Sequence, residues 1–368
     1  MTLDAVLPQV SPATLKLGLF DIMQVDPVLQ PDPATMYRQR LDHLALADEL
    51  GFDIAFSAER HFLPNYACPS ATAWIAAATQ RTSRMRLGVL GYTLPLREPV
   101  ELAEEIAVLD QLAGGRLDVG FGLGHRVEEL VARGIDPHTR IARFQERVAI
   151  LQALWSGGQV SFERDELIIR NVAIHPVPSQ DPHPPLWFAG TEAGAAQWMA
   201  ARGMGLAIGF KPTDQLIPAV AAFFAGQQAR TPESIAAAPA RPAGSLALMR
   251  HVYVSDTDEQ ARDEVVEDLM RLDEHFGAAV ASGDRDAHRA TARERFAAMQ
   301  RDDVMIAGGP GTVARTIADQ QQRLRIDLFL ANVYAAGVPP ERVERTMRLL
   351  AGPVRSALAE IGAEVRVG

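Results

Sequence analysis

The stretch from Gly88 to Gly124, GVLGYTLPLREPVELAEEIAVLDQLAGGRLDVGFGLG, decides the fold. A short apolar run ending at Leu90 reads as a strand. Leu102, Ile106, Leu109 and Leu112 then recur at helical spacing, and Gly114 and Gly115 stop the helix. Leu117 to Phe121 return as a second short apolar strand. Strand, helix and strand in one pass make a parallel βαβ unit, because parallel neighbours need a crossover connection. Gly120, Gly122 and Gly124 follow at alternate positions. At the carboxyl end of a barrel strand, where chemistry is placed, glycine lets a flat ligand lie against the backbone.

The same alternation extends in both directions. Strands are expected near Lys16–Phe20, Ile54–Ser57, Arg86–Leu90, Leu117–Phe121, Leu186–Ala189, Leu206–Ile208, Leu248–Val254 and Asp327–Val333. Helical patterns lie at Pro33–Leu50, Ser70–Arg81, Pro99–Leu112, Arg140–Trp155, Glu192–Ala201, Asp214–Gln228, Gly311–Leu324 and Pro339–Glu360. In the last, Val343, Met347, Leu350, Val354 and Leu358 step by three or four residues. Eight strands, each followed by a helix, predict an α/β chain folded as a single (β/α)8 TIM barrel over residues 1–368. Two segments exceed the minimal barrel: a hairpin around Val160–Ile169 after the fourth helix, and an acidic helical insertion near Thr257–Gln300 after the seventh strand. Such excursions shape a substrate pocket or an oligomer contact.

Composition agrees with this class. The chain has 368 residues, 48% of them hydrophobic and 22% charged, enough to bury a large core, with disorder expected only in the first dozen residues. No cationic stretch leads into an apolar core at the N-terminus and no window approaches a bilayer span, so a cytoplasmic protein with no membrane partner is expected. A net charge of −10 argues against a nucleic-acid surface, and Lys16 and Lys211 are the only lysines. The single cysteine, Cys68, excludes an intrachain disulfide and a cysteine-built metal site. The nine histidines show no paired helical spacing, so no metal site is expected. The Gly120–Gly124 run lacks the spacing of a dinucleotide fingerprint. Thr312, before a helical run, reads as a cap.

Several motifs converge. The K-L-G-L-F strand at Lys16–Phe20, the A-E-R-H-F turn at Ala58–Phe62, L-P-L-R-E-P and D-Q-L-A-G-G-R-L within the quoted block, and W-F-A-G-T at Trp187–Thr191 together resemble bacterial-luciferase-like flavin monooxygenases. The likeness spans the barrel and is strongest from Asp53 to Gly134 and again near Gly190. It implies reduced FMN, supplied by a separate flavin reductase, reacting with oxygen through a flavin peroxide to oxygenate a small organic substrate. A branch of the family uses a reduced deazaflavin coenzyme for hydride transfer instead. A non-catalytic luciferase-like barrel subunit is a further reading. Family habit implies a homodimer through helices beside the glycine-rich block.

The resemblance also distributes roles. Glu59, Arg60 and His61 follow the second strand, at the active-site end. The luciferase pattern has two adjacent histidines here, the first catalytic; this chain has Arg60 there and keeps His61. Arginine stays cationic and is no general base, but it can hold an anion, and histidine can donate or accept near neutral pH. His61 and Arg60 are therefore the catalytic candidates, with Glu59 assigned to the cofactor. Gly91 and Tyr92 end the third strand, where the family carries a bulge against which the flavin rests, often with a non-proline cis peptide; a plain strand terminator is the other reading of Gly91. Tyr92 either covers the flavin or fills the barrel mouth, and Gly122 and Gly124 approach the cofactor. Phe20, Phe62, Tyr92 and Phe121 are the candidates for excluding water. Gly190, Thr191 and Gly194 open a helix after the fifth strand as a phosphate cradle, or Thr191 is only its cap. Arg140 and Arg143 are both candidates for a phosphate-binding arginine. A further family arginine falls at Leu123, where His125 or Arg126 is the available substitute.

Overall fold

Eleven strands are present among the described residues of the computed structural model, which are 11–25, 32–124, 126–164, 167–231, 246–275, 285–334 and 338–367. They are β1 (Lys16–Asp21), β2 (Ile54–Ser57), β3 (Arg86–Thr93), β4 (Leu117–Gly122), β5 (Val160–Arg164), β6 (Leu167–Val172), β7 (Leu186–Ala189), β8 (Gly205–Gly209), β9 (Leu246–Val254), β10 (Met305–Gly308) and β11 (Leu328–Asn332). Parallel pairing runs β1-β2-β3-β4-β7-β8-β9-β11 and returns from β11 to β1, closing an eight-stranded (β/α)8 barrel. Strands β5 and β6 form the antiparallel hairpin expected after the helix Arg140–Trp155. The first ten residues, where disorder was expected, lie outside the described set, as does His125.

Two details depart from the sequence reading. The insertion after β9 is a pair of helices, Asp258–His275 and Arg285–Arg301, followed by an unexpected strand, β10, which pairs with the upper half of β9 from His251 to Val254. Four residues, Met-Ile-Ala-Gly, are too short to separate from a loop by pattern alone. Thr312 is not a cap. Gly309 holds that position before the helix Pro310–Leu324, and the Thr312 hydroxyl instead donates to Asp258 Oδ2 at 2.9 Å.

Side-chain alternation splits the core in two. Phe20, Ile54, Phe56, Leu90, Trp187, Met249, Leu328 and Leu330 point into the barrel, while Leu19, Val89, Tyr92, Phe121, Leu248 and Phe329 point outward against the helices. At the amino end of the strands the interior is polar and closed: Asp118 takes hydrogen bonds from Arg86 Nε at 2.6 Å and Trp187 Nε1 at 2.8 Å. The carboxyl end carries no such plug among these residues, which leaves it for function.

The outer layer also buries a titratable group. His43, on the helix Pro33–Glu49, is 3% exposed and stacks on Tyr334 with ring centroids 5.7 Å apart. Burial and the neighbouring Arg40 push its pKa from 6.5 down to about 4. The folded value lies below the unfolded one, so its contribution is complete above pH 6.5 and is lost as pH falls towards 4. That interval corresponds to about 3 kcal/mol. His43→Gln is expected to flatten the decline in unfolding free energy over this window, measured by urea titration at several pH values; an unchanged pH profile would count against it.

Candidate active site at the barrel mouth

The inner faces of the strands end in an apolar, aromatic mouth. Phe20, at the top of β1, lies 6.0 Å from Phe210, which follows β8, and Phe210 lies 4.7 Å from the ring of His251 on β9. Leu90, Ala189 and Met249 join the same inner cluster. Of the candidates for excluding water, Phe20 faces this space. Tyr92 and Phe121 do not: both are enclosed between the barrel and its helices. Phe62 is 61% exposed on the rim.

The turn after β2 divides its three charged or polar residues. Glu59 is 1% exposed and turned onto the protein: its carboxylate accepts from Thr93 N at 3.0 Å and from Arg97 Nη1 at 3.3 Å. Arg97 continues to Glu105 at 2.6 Å, and Glu105 accepts from the Thr72 hydroxyl at 2.7 Å. These bonds give Glu59 a scaffold role, joining the ends of β2 and β3. His61 Nε2 stands 3.2 Å from Glu59 Oε1, out of line for a hydrogen bond, with its side chain 12% exposed. Arg60 is half-buried beside Tyr66, Arg126 and Glu129, and burial lowers its pKa from the ordinary value. No ion pair or side-chain hydrogen bond is made by its guanidinium among the described residues.

The end of β3 is irregular in the way a bulge requires. The Leu90–Gly91 peptide is cis, and the register to β4 shifts between Val89 and Tyr92. Gly91 sits against the backbone of Gly120, and a Cβ on Gly120 would stand 2.4 Å from the Val89 carbonyl oxygen. These two glycines serve strand against strand. Tyr92 is corrected in direction as well: its hydroxyl lies 3.3 Å from Thr72 Oγ1 on the outer side, and burial raises its pKa. The two faces of a strand differ by one residue, and the irregularity at Gly91 makes that parity unreadable from sequence. Gly122 ends β4, and Gly124 turns the chain with φ 73°.

A second polar group gathers at the start of the helix Ala193–Ala200. Its cap position is Glu192, which makes no side-chain capping bond, so the first amide groups are free of that partner. Thr191 is not the cap. Its hydroxyl accepts from Lys211 Nζ at 2.8 Å, bringing in a cation from the loop after β8. Lys211 belongs to no motif, and its rarity among 36 basic residues, nearly all arginine, is the only signal of it in the sequence. Gly194 has open space where a Cβ would be, whereas Gly190 is filled by the Phe188 ring. The two arginines of the helix Arg140–Trp155 part company. Phe144 packs on Phe188 at 6.0 Å and Trp198 at 6.4 Å, and Arg140, at the first position of the helix, lies one turn before Phe144. Arg143 Nε reaches Pro95 O at 3.4 Å and, with His138, Thr139, Arg147 and Arg164, lines a cleft of about 880 Å³. Arg126 approaches Glu129 at 3.8 Å.

Known proteins resemble this chain in sequence and fold. The family model for luciferase-like monooxygenases matches residues 15–327. An uncharacterized protein, y4wF, of Sinorhizobium fredii is 31% identical over 338 residues, 90% of this chain and 94% of that one. The oxygenase component of a flavin-dependent trigonelline monooxygenase from Acinetobacter baylyi is 25% identical over 62% of each chain. An F420-dependent glucose-6-phosphate dehydrogenase from Intrasporangium calvum is 31% identical over 50% of this chain and 58% of its own. The crystal structure of monooxygenase RslO1 from Streptomyces bottropensis superposes with a TM-score of 0.75 at 26% identity, covering 92% of this chain and 98% of that one. Relatives thus include both flavin-dependent monooxygenases and F420-dependent oxidoreductases. No helix among the described residues is long and apolar enough to cross a membrane. With the closed barrel, the bulge at Gly91 and a match across residues 15–327, the chain belongs to the luciferase-like monooxygenase family.

Proposed function

We propose that this chain is the oxygenase component of a two-component system, taking reduced FMN from a separate flavin reductase and oxygenating a small organic substrate. The observation that carries the reading is the apolar mouth formed by Phe20 and Phe210 together with Leu90 of the bulge, because an oxygenating site has to exclude water. The likeness to RslO1 along nearly the whole chain supports the same reading.

The residues present fit FMN. Thr191, Lys211, Arg140 and the open first turn at Gly194 would hold its phosphate, and the Gly91 bulge would back its ring. Bound reduced FMN supplies the electrons that activate oxygen. The protein's own part is to bind, shield and move protons. His61, with its Nε2 3.2 Å from Glu59 Oε1, is the group that would pass a proton to or from the reacting oxygen. Arg60, with no ion-pair partner among the described residues, is placed to hold an anionic group of the substrate. Val108 and Leu112, 45% and 48% exposed on the helix Pro99–Leu112, mark the face for a homodimer, checked by light scattering.

Stopped-flow absorbance after mixing the anaerobic complex with oxygenated buffer tests the reading. A transient near-ultraviolet band before the oxidised-flavin spectrum is expected; flavin oxidising as though no protein were present would sink it. His61→Ala is expected to lower product formed per flavin oxidised and raise hydrogen peroxide release correspondingly, and unchanged coupling would remove His61 from the catalytic list. Lys211→Ala is expected to weaken FMN about tenfold while leaving riboflavin, which lacks the phosphate, unaffected. Equal losses for both ligands would move the phosphate elsewhere. The F420-dependent relatives favour a second reading, hydride transfer with a deazaflavin. Tight deazaflavin binding without FMN binding or oxygen consumption would select it.

A further inference from the structure

His251 and Asn332 are register partners on the adjacent strands β9 and β11, at the carboxyl end of the barrel. Both lie two residues beyond inward-facing neighbours, Met249 and Leu330, so both point into the mouth. Each carries a buried polar atom with no hydrogen-bond partner among the described residues, Nδ1 in His251 and Nδ2 in Asn332. Asn332 is 0% exposed. Its amide orientation is set by Oδ1 accepting from Tyr334 N at 3.0 Å, so the unpartnered atom is a donor. Burial pushes the His251 pKa down to about 4, which keeps the imidazole neutral at physiological pH and lets Nδ1 accept when the ring proton sits on Nε2. The half-exposed Phe210 ring lies 4.7 Å from the His251 ring and, with Phe20 behind it, walls the pair with aromatic surface.

Two adjacent unpartnered polar atoms of opposite sense in one apolar pocket are costly unless something meets both. One hydroxyl group does so, its O–H donating to Nδ1 and its oxygen accepting from Nδ2. We propose that His251 and Asn332 are the substrate-specificity pair of this barrel, selecting a planar organic molecule that carries a hydroxyl group. Neither polar atom reaches solvent, so a hydroxyl that meets them is enclosed beside the Phe210 ring. The proposal deepens the oxygenase reading and rests on it for the use of the mouth as a substrate pocket.

The test is calorimetric binding of 2-naphthol and of naphthalene to the full chain. Hydrophobicity alone favours naphthalene; the pair is expected to reverse that order, with naphthol bound about tenfold more tightly. His251→Phe and Asn332→Leu are each expected to remove the preference by weakening naphthol while leaving naphthalene unchanged. Equal affinities in the unaltered protein, no measurable naphthol binding, or a preference that survives both substitutions would overturn the proposal. A variant that weakens both ligands alike would show a structural role and also overturn it. The measurement involves no flavin turnover: failure of the stopped-flow experiment would leave the naphthol preference standing, and loss of the preference would leave the flavin result untouched.

Discussion

Replacing Glu59 with alanine is expected to lower the unfolding free energy by about 3 kcal/mol, among the larger effects available to a single substitution. The carboxylate is enclosed and accepts from both the Thr93 amide and the Arg97 guanidinium. Its removal leaves a buried amide without an acceptor and a partly buried cation with only Glu105. Loss of a hydrogen-bonded partner costs more than the intact pair contributes, because the group left behind has already given up its water. Arg97 retains Glu105, which holds the estimate at the lower end of the range for broken buried pairs. Glu59→Gln keeps an oxygen for Thr93 and is expected to lose less. Urea unfolding checks both, and a loss below about 1 kcal/mol for the alanine variant would show that the network relaxes around the gap. Because Glu59 also stands beside His61, the alanine variant should couple flavin oxidation to product less well even where it remains folded.

Gly120→Ala is expected to destabilise by a similar amount, about 3 kcal/mol, and to weaken FMN binding in the folded fraction. The added methyl would stand 2.4 Å from the Val89 carbonyl oxygen and 2.9 Å from Leu90 Cδ2. The nearer atom belongs to backbone inside a closed barrel, so the strands have to part. The displaced segment is the bulge at Gly91, proposed to back the flavin ring. Gly122→Ala is the matched control for stability on the same strand, since its nearest neighbour, Tyr92 O, is 3.9 Å away. Tolerance of alanine at Gly120, or equal damage from both substitutions, would refute this account of the bulge.

Pattern carried furthest where one periodicity ruled a whole element. Leu102, Ile106 and Leu109 lie on the buried stripe of the helix Pro99–Leu112, and the final helix placed Val343, Met347, Leu350, Val354 and Leu358 in the core. It failed where an irregularity broke the count. The register shift before Tyr92 put that residue outside the barrel, and the turn after β2 enclosed Glu59 fully and His61 only in part. The loop after β8 set Lys211 beside Thr191, twenty residues away, and β10 formed from four residues only because the upper half of β9 offered an edge.

The sequence by itself determined the alternation of strand and helix, the closure of eight strands, and which end of them carries glycine and polar turns. Those depend on local propensity and on periods of two and 3.6, which each segment carries alone. Which side chains meet was decided only by the tertiary structure: His251 beside Asn332 from strands far apart in the chain, Lys211 on Thr191, and Glu59 on Arg97. Such meetings depend on strand register and loop path, which closing the barrel sets for all strands together.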